Sequence, residues 1–135
     1  MARAHVATIE AANLDLIVNG NLAAVGDYFA TDYVAHVTGH DFSGGHDVVK
    51  KIVRAYRHAF SEIEVNVEIL VKAKNRVAWQ RTVKAKQTGA FKGFPATGLA
   101  IVWRDMITSE FRDGLIAEEW VVTDLAEKLL LARKR

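Results

Sequence analysis

The chain has 135 residues, half of them hydrophobic and a quarter charged, with a formal net charge of +2. That balance fits a single folded domain over residues 1–135 and excludes a disordered chain. Cysteine is absent, which removes disulfides, thiolate metal ligands and cysteine nucleophiles. The net charge is only +2, and part of the positive excess sits in Arg133, Lys134 and Arg135, so no nucleic-acid partner is expected. No run approaches the roughly 18 apolar residues of a membrane span. Residues 1–20, interrupted by His5, Glu10 and Asp15, do not read as a signal peptide, and a cytoplasmic protein is expected.

Residues 2 to 19 set Val6, Ile9, Leu16 and Ile17 on one side at helical spacing, until Asn19-Gly20-Asn21 breaks the pattern. A short second helix is predicted from about Leu22 to Phe29. Tyr33 to Val37 reads as extended, and Gly39, Gly44 and Gly45 make the next stretch a loop. From Asp47 to about Ser61, apolar residues from Val48 to Phe60 recur every three to four positions, which predicts a third, amphipathic helix.

The period then switches to two. Val65, Val67, Ile69 and Val71 alternate with polar residues, and Val77 to Lys86 carries Val77, Trp79, Arg81 and Val83 on one face. A third strand is expected from about Leu99 to Phe111. The Asp113-Gly114 hairpin signal leads to a fourth, Ile116 to Thr123. A short helix with Leu125, Leu129 and Leu130 ends the chain. Three helices before a four-strand antiparallel meander predict an α+β fold with helices on one face. The other face, with Val83, Val102 and Val121 at alternate positions, then needs cover, and a homodimer supplies it.

Asp124 ends the apolar strand Trp120-Val121-Val122-Thr123 and shares parity with Trp120 and Val122. Facing the helices, it would be an acid in apolar surroundings with a raised pKa, suited to general acid/base work; the alternative is a cap for the last helix. His36 closes the extended segment that begins with Tyr33, where it either reaches a pocket mouth or serves as a structural histidine. With His40, His46 and Asp41 it forms a cluster, but in a glycine-rich loop rather than at helical metal-ligand spacing, so no metal is expected. Trp79, Trp103 and Trp120 sit on three strands and either line a pocket for a flat ligand or simply fill the core. Glu118 and Glu119, being adjacent in a strand, point to opposite faces and are expected as solvated edge charges. Gly89, Gly93, Pro95 and Gly98 join two strands and read as a loop bordering the pocket.

Three segments carry a family resemblance: residues 88–98 (TGAFKGFPATG), 111–116 (FRDGLI) and 118–124 (EEWVVTD). Asn19-Gly20-Asn21-Leu22 and Gly45-His46-Asp47 support it. With these the chain resembles the SnoaL-like polyketide cyclases, of the superfamily that shares the nuclear transport factor 2 (NTF2-like) fold. The resemblance implies a cone-shaped, curved antiparallel sheet packed on N-terminal helices, also described as a cystatin-like α+β barrel. It also implies metal-free, cofactor-free intramolecular aldol condensation on a small apolar or polycyclic molecule. By the same resemblance Asp124 is the acid/base, His36 a polar pocket residue, and Thr108 or Glu110 a ligand contact beside Trp120, Trp79 and Tyr33. The same fold also hosts isomerases, epoxide hydrolases, in which Arg81 or Arg104 would take part, and noncatalytic binding or dimerisation modules. The chain departs from the family pattern at Gln87, where histidine is common, at Ala96, where proline is, and at Glu110, where arginine is.

Overall fold

The longest strands arise where apolar residues alternate most strictly. The computed structural model describes residues 2–134. Its sheet contains β1 (Phe29–Val37), β2 (His40–Ser43), β3 (Phe60–Lys72), β4 (Arg76–Gln87), β5 (Ala100–Arg112) and β6 (Leu115–Thr123). In β5 the inward row is Ile101, Trp103, Asp105, Ile107, Ser109 and Phe111, all buried, while Val102, Arg104 and Met106 between them are exposed. The Asp113-Gly114 link to β6 has φ of 54° and 79°, the double positive φ of a tight hairpin turn that the dipeptide predicts.

The helices are α1 (Ala2–Ala12), α2 (Val25–Tyr28), α3 (His46–Ala59) and α4 (Leu125–Arg133), with a π-helical turn at Asn13–Val18 and a 3₁₀ turn at Leu22–Ala24. Ile9 and Leu16 join Val49 and Val53 of α3 against Tyr33, Trp79, Ile107 and Ile116 of the sheet. A second cluster packs Leu125 and Leu129 of α4 with Phe60, Ile101 and Trp103. Burying each such side chain contributes about 1.5–3 kcal/mol. The turn into α3 runs close against β1: a Cβ on Gly45 would stand 2.0 Å from the Thr31 carbonyl oxygen, so only glycine lets this turn lie beside Tyr33.

The α+β architecture with a curved sheet under N-terminal helices is present, but two features differ from the expected meander. Strand β1 is longer than predicted and pairs with β2, which the glycines made a loop. The turn between them uses Thr38 and Gly39 at positive φ, and all four residues of β2 are exposed, so no apolar alternation betrays it. Strand β1 also runs parallel to β6, with Ala35 opposite Glu119 and His36 opposite Trp120. The sheet order is therefore β2-β1-β6-β5-β4-β3, a mixed, unclosed sheet. No helix among the described residues is long and apolar enough to cross a membrane.

A bulge in β6 decides what this strand presents. Phe111 pairs with Ile116 but Glu110 with Glu118, so Ala117 is an extra residue. Ile116 and Ala117 are both buried, and beyond them the alternation resumes in the opposite phase. Glu119 is buried at 8% exposure, whereas Trp120 is 36% and Val122 63% exposed.

Candidate functional site

Between the inner sheet face and helices α1 and α3 lies a cavity of about 500 Å³. Tyr33, Trp79, Arg81, Ile107 and Glu119 form its sheet side, and Phe42, Asp47, Lys51 and Lys92 belong to its exposed rim.

Glu119 is the buried carboxylate of this cavity. Its Oε1 accepts a hydrogen bond from the Tyr33 hydroxyl at 2.6 Å, and its Oε2 accepts one from Ser109 Oγ at 2.5 Å. Ser109 in turn accepts from Trp79 Nε1 at 2.9 Å. Burial pushes the Glu119 carboxyl above the usual carboxylate range, while the Ser109 and Tyr33 hydrogen bonds and the Arg81 charge act against it. Tyr33 is held well above its ordinary value, first by burial and then by Glu119, so it stays a donor.

Arg81 is the cavity's cation. Its Nε bonds Asp105 Oδ2 at 2.8 Å, and its Nη1 bonds Asn13 Oδ1 at 3.0 Å. No hydrogen bond among the described residues engages Nη2. Burial alone would lower the arginine, but the neighbouring Asp105 and Tyr56 outweigh it. Tyr56 is itself pushed up to about 12 by burial and by Asp105. Asn13 reaches Arg81 from the first residue of the π-helical turn, where its Nδ2 donates to the Ile9 carbonyl at 2.8 Å. Such turns are frequent at functional sites.

The loop between β4 and β5 closes one side of the rim. Gln87, fully buried, donates to the Pro95 carbonyl at 3.1 Å and accepts from Thr97 at 2.9 Å, so the residue that departs from the family's histidine pins this loop. Phe91 and Phe94 form a two-way backbone bridge across Lys92-Gly93, both at positive φ, which holds Phe91 and Lys92 at the cavity.

The description SnoaL-like polyketide cyclase matches residues 7–130 of this sequence. The chain belongs to that family. No curated protein matches it by sequence. Among solved structures it is similar to AclR of Streptomyces galilaeus, provisionally a hydroxylase, at 23% identity over 100% of this chain and 84% of that one, with a TM-score of 0.83. IdmH of Streptomyces antibioticus, provisionally a polyketide cyclase, matches at 22% over 97% and 99%, TM-score 0.79. TsrD of Streptomyces laurentii matches at 18% over 96% and 97%, TM-score 0.82. At these identities the likeness speaks for the SnoaL-like fold alone.

Of the residues singled out in the sequence, Tyr33, Trp79 and Arg81 line the cavity. Asp124, His36, Trp120, Thr108 and Glu110 do not. The bulge at Ala117 inverts the phase on which the placement of Asp124 and Trp120 rested. Asp124 stands at the start of α4, where its Oδ1 accepts the Arg104 backbone N–H at 2.9 Å. Thr108 is opposite Trp120 on the outer face, and Glu110 pairs there with Arg76 at 2.8 Å. Glu119, expected as a solvated edge charge, is inside. Among the described residues no group of three or more His, Asp or Glu converges for a metal, and His46 instead bonds the Phe29 carbonyl. The missed residues left one legible signal: Asp105 and Ser109 stand as polar interruptions in the otherwise apolar inward row of β5.

His36 lies outside on β1 between two carboxylates, Asp41 of β2 and Glu118 of β6, each at 2.6 Å, and stacks on Trp120 with ring centroids 5.4 Å apart. The Asp41 and then the Glu118 hydrogen bond raise its pKa. A raised folded value places its contribution below the unfolded histidine pKa and removes it as pH climbs through the folded one. The β1–β2 pairing is therefore expected to loosen as pH rises above about 6.5, read as amide-exchange protection corrected for intrinsic rates. His36→Gln should flatten the dependence. A pH-independent wild type would refute the clamp.

Proposed function

We propose that the chain is a small-molecule enzyme that closes a carbon ring by metal-free intramolecular aldol condensation, with Glu119 as its acid/base. The observation that carries this reading is the one buried carboxylate that lines the cavity among the described residues, fixed by Tyr33 and Ser109 and raised by burial. An apolar cavity of this size suits a drug-sized ligand with few polar groups.

In the reaction, Glu119 takes a proton from a carbon flanked by carbonyl groups. Arg81, which lines the cavity, donates to the enolate oxygen. The carbanion carbon then attacks a second carbonyl within the same molecule: the new C–C bond forms, the C=O π bond breaks, and the alkoxide recovers the proton from Glu119. Substrate and aldol adduct have the same composition, so this ring-closing addition needs no co-reactant. The hydrophobic walls fold the chain for attack, a positioning effect. The test is an aryl triketone whose active methylene can close a six-membered ring on its distal carbonyl. Closure faster than in buffer supports the reading, and closure at the buffer rate overturns it. An epoxide-hydrolase reading draws on the Arg81–Asp105 pair, but Asp105 does not line the cavity.

We also propose a homodimer through the outer face of β5 and β6. Val83 and Val121, expected on that face, are turned inward, Val83 into the core and Val121 to the cavity. Val102 is exposed there as expected, joined by Met106, Trp120 and Val122, and Met106 is directly opposite Val122. Sedimentation at micromolar concentration should show a dimer that Met106→Glu dissociates; a wild-type monomer would rule it out.

A further inference from the structure

The polar groups of the cavity are sorted by depth, and the sorting bears on the chemical class of ligand. Deep inside, the Arg81 charge is already matched by Asp105 at 2.8 Å, with Glu119 close by. A ligand anion there would be desolvated beside Glu119 and against an arginine whose charge Asp105 already balances, which is costly. The interior therefore accepts a neutral carbonyl or an oxygen that gains charge only during reaction. The rim differs. Lys51 of α3 and Lys92 of the β4–β5 loop both line the cavity and are exposed. Among the described residues neither has a carboxylate partner within ion-pair distance, Asp47 included, although Asp47 stands one turn before Lys51 and also lines the rim. Two cations against one anion leave the rim net positive.

Lys92 is also held in place. Its Nζ lies 5.5 Å from the centroid of the Phe91 ring, a cavity wall, on the bridged turn that fixes Phe91 and Phe94. A cation over this aromatic wall, with a second cation of the same rim on α3, can bind an anionic group while the lysine stems cover apolar ligand surface. Because the rim is wet, the desolvation cost of an anion is small there.

We infer that the ligand is an amphipathic acid: an apolar, carbonyl-bearing body enclosed by the cavity, with a carboxylate or comparable anionic group at the rim between Lys51 and Lys92. This deepens the ring-closure reading by naming its substrate class, and rests on the same cavity. Its test uses binding alone, so it fails independently of catalysis.

Two matched fluorescent probes, anilinonaphthalene sulfonate and the uncharged N-phenylnaphthylamine, differ essentially in one anionic group. Both are titrated into wild type, Lys51→Gln/Lys92→Gln, and a control Lys84→Gln/Lys86→Gln, whose lysines are exposed on β4 and do not line the cavity. The two probes should displace each other on wild type, the sulfonate binding more tightly. The rim variant should lose about fivefold or more in sulfonate affinity, the scale of one or two partly exposed charge pairs, and keep its affinity for the uncharged probe. The control should change neither. Equal loss for both probes, no loss in the rim variant, the same loss in the control, or a sulfonate that the uncharged probe does not displace would each overturn the assignment. Unchanged thermal unfolding of both variants shows that the fold is intact.

Discussion

Replacing Glu119 by glutamine is expected to slow ring closure of the triketone by at least about a hundredfold, the lower end of what a positioned acid/base supplies. Glutamine keeps the size and still accepts the Tyr33 hydroxyl through its amide oxygen; only the Ser109 hydroxyl has to find another orientation. It cannot take a carbon proton. The wild-type rate should rise with pH through a value above the ordinary carboxylate range, because burial disfavours the charged base, and the variant should lack that limb. Asp124→Asn is the informative companion. Its amide oxygen can still accept the Arg104 N–H, so the rate should stay within a few-fold of wild type. The opposite pattern, an active Glu119→Gln and a dead Asp124→Asn, would return the acid/base role to the residue implied by family resemblance.

The second large effect concerns stability. Arg81→Met leaves Asp105, 1% exposed and with an Oδ1 that already lacks a hydrogen-bond partner, without its counter-charge. Breaking a buried pair from one side costs about 3–5 kcal/mol, a large part of the total stability of a domain this size. Urea unfolding of Arg81→Met should show that loss, and Arg81→Met/Asp105→Leu should recover most of it, since removing both charges also removes the desolvation penalty. If the single variant unfolds like wild type, the pair is not the buried unit described.

Much of the fold was legible because β4 and β5 keep one period along their length, as β3 does between its register shifts at Ser61/Glu64 and Ile69/Val71. Val77, Trp79, Arg81 and Val83 share a face in the sequence and in the sheet, and the α3 face of Val48, Val49 and Val53 is buried where helical spacing puts it. The site was less legible. Trp120, Val121 and Val122 are all apolar, so either phase of β6 satisfies the pattern, and a bulge leaves no mark in a period-two reading. The choice of Asp124 over Glu119 followed from that ambiguity. Adjacent placement of Glu118 and Glu119 correctly implied opposite faces, but which face was inside depended on Ala117. The parallel pairing of β1 with β6 joins residues more than eighty positions apart, beyond the reach of local pattern.

That extra residue makes β6 two half-strands in opposite phase joined by a half-step. The half next to the Asp113-Gly114 hairpin is keyed to the core through Ile116, and the half beyond is keyed to the cavity through Glu119 and Val121. The two frames are thereby uncoupled. Loss of Ala117 would straighten the strand yet leave Ile116 and Glu119 both facing in, because regular alternation across the gap gives the same sides. Loss of one residue after Glu119 would instead exchange Val121 for Val122 in the wall while the acid stayed put. The acid of the cavity and the wall residue beyond it can thus vary separately along a single strand, with the point of separation between Glu119 and Val121.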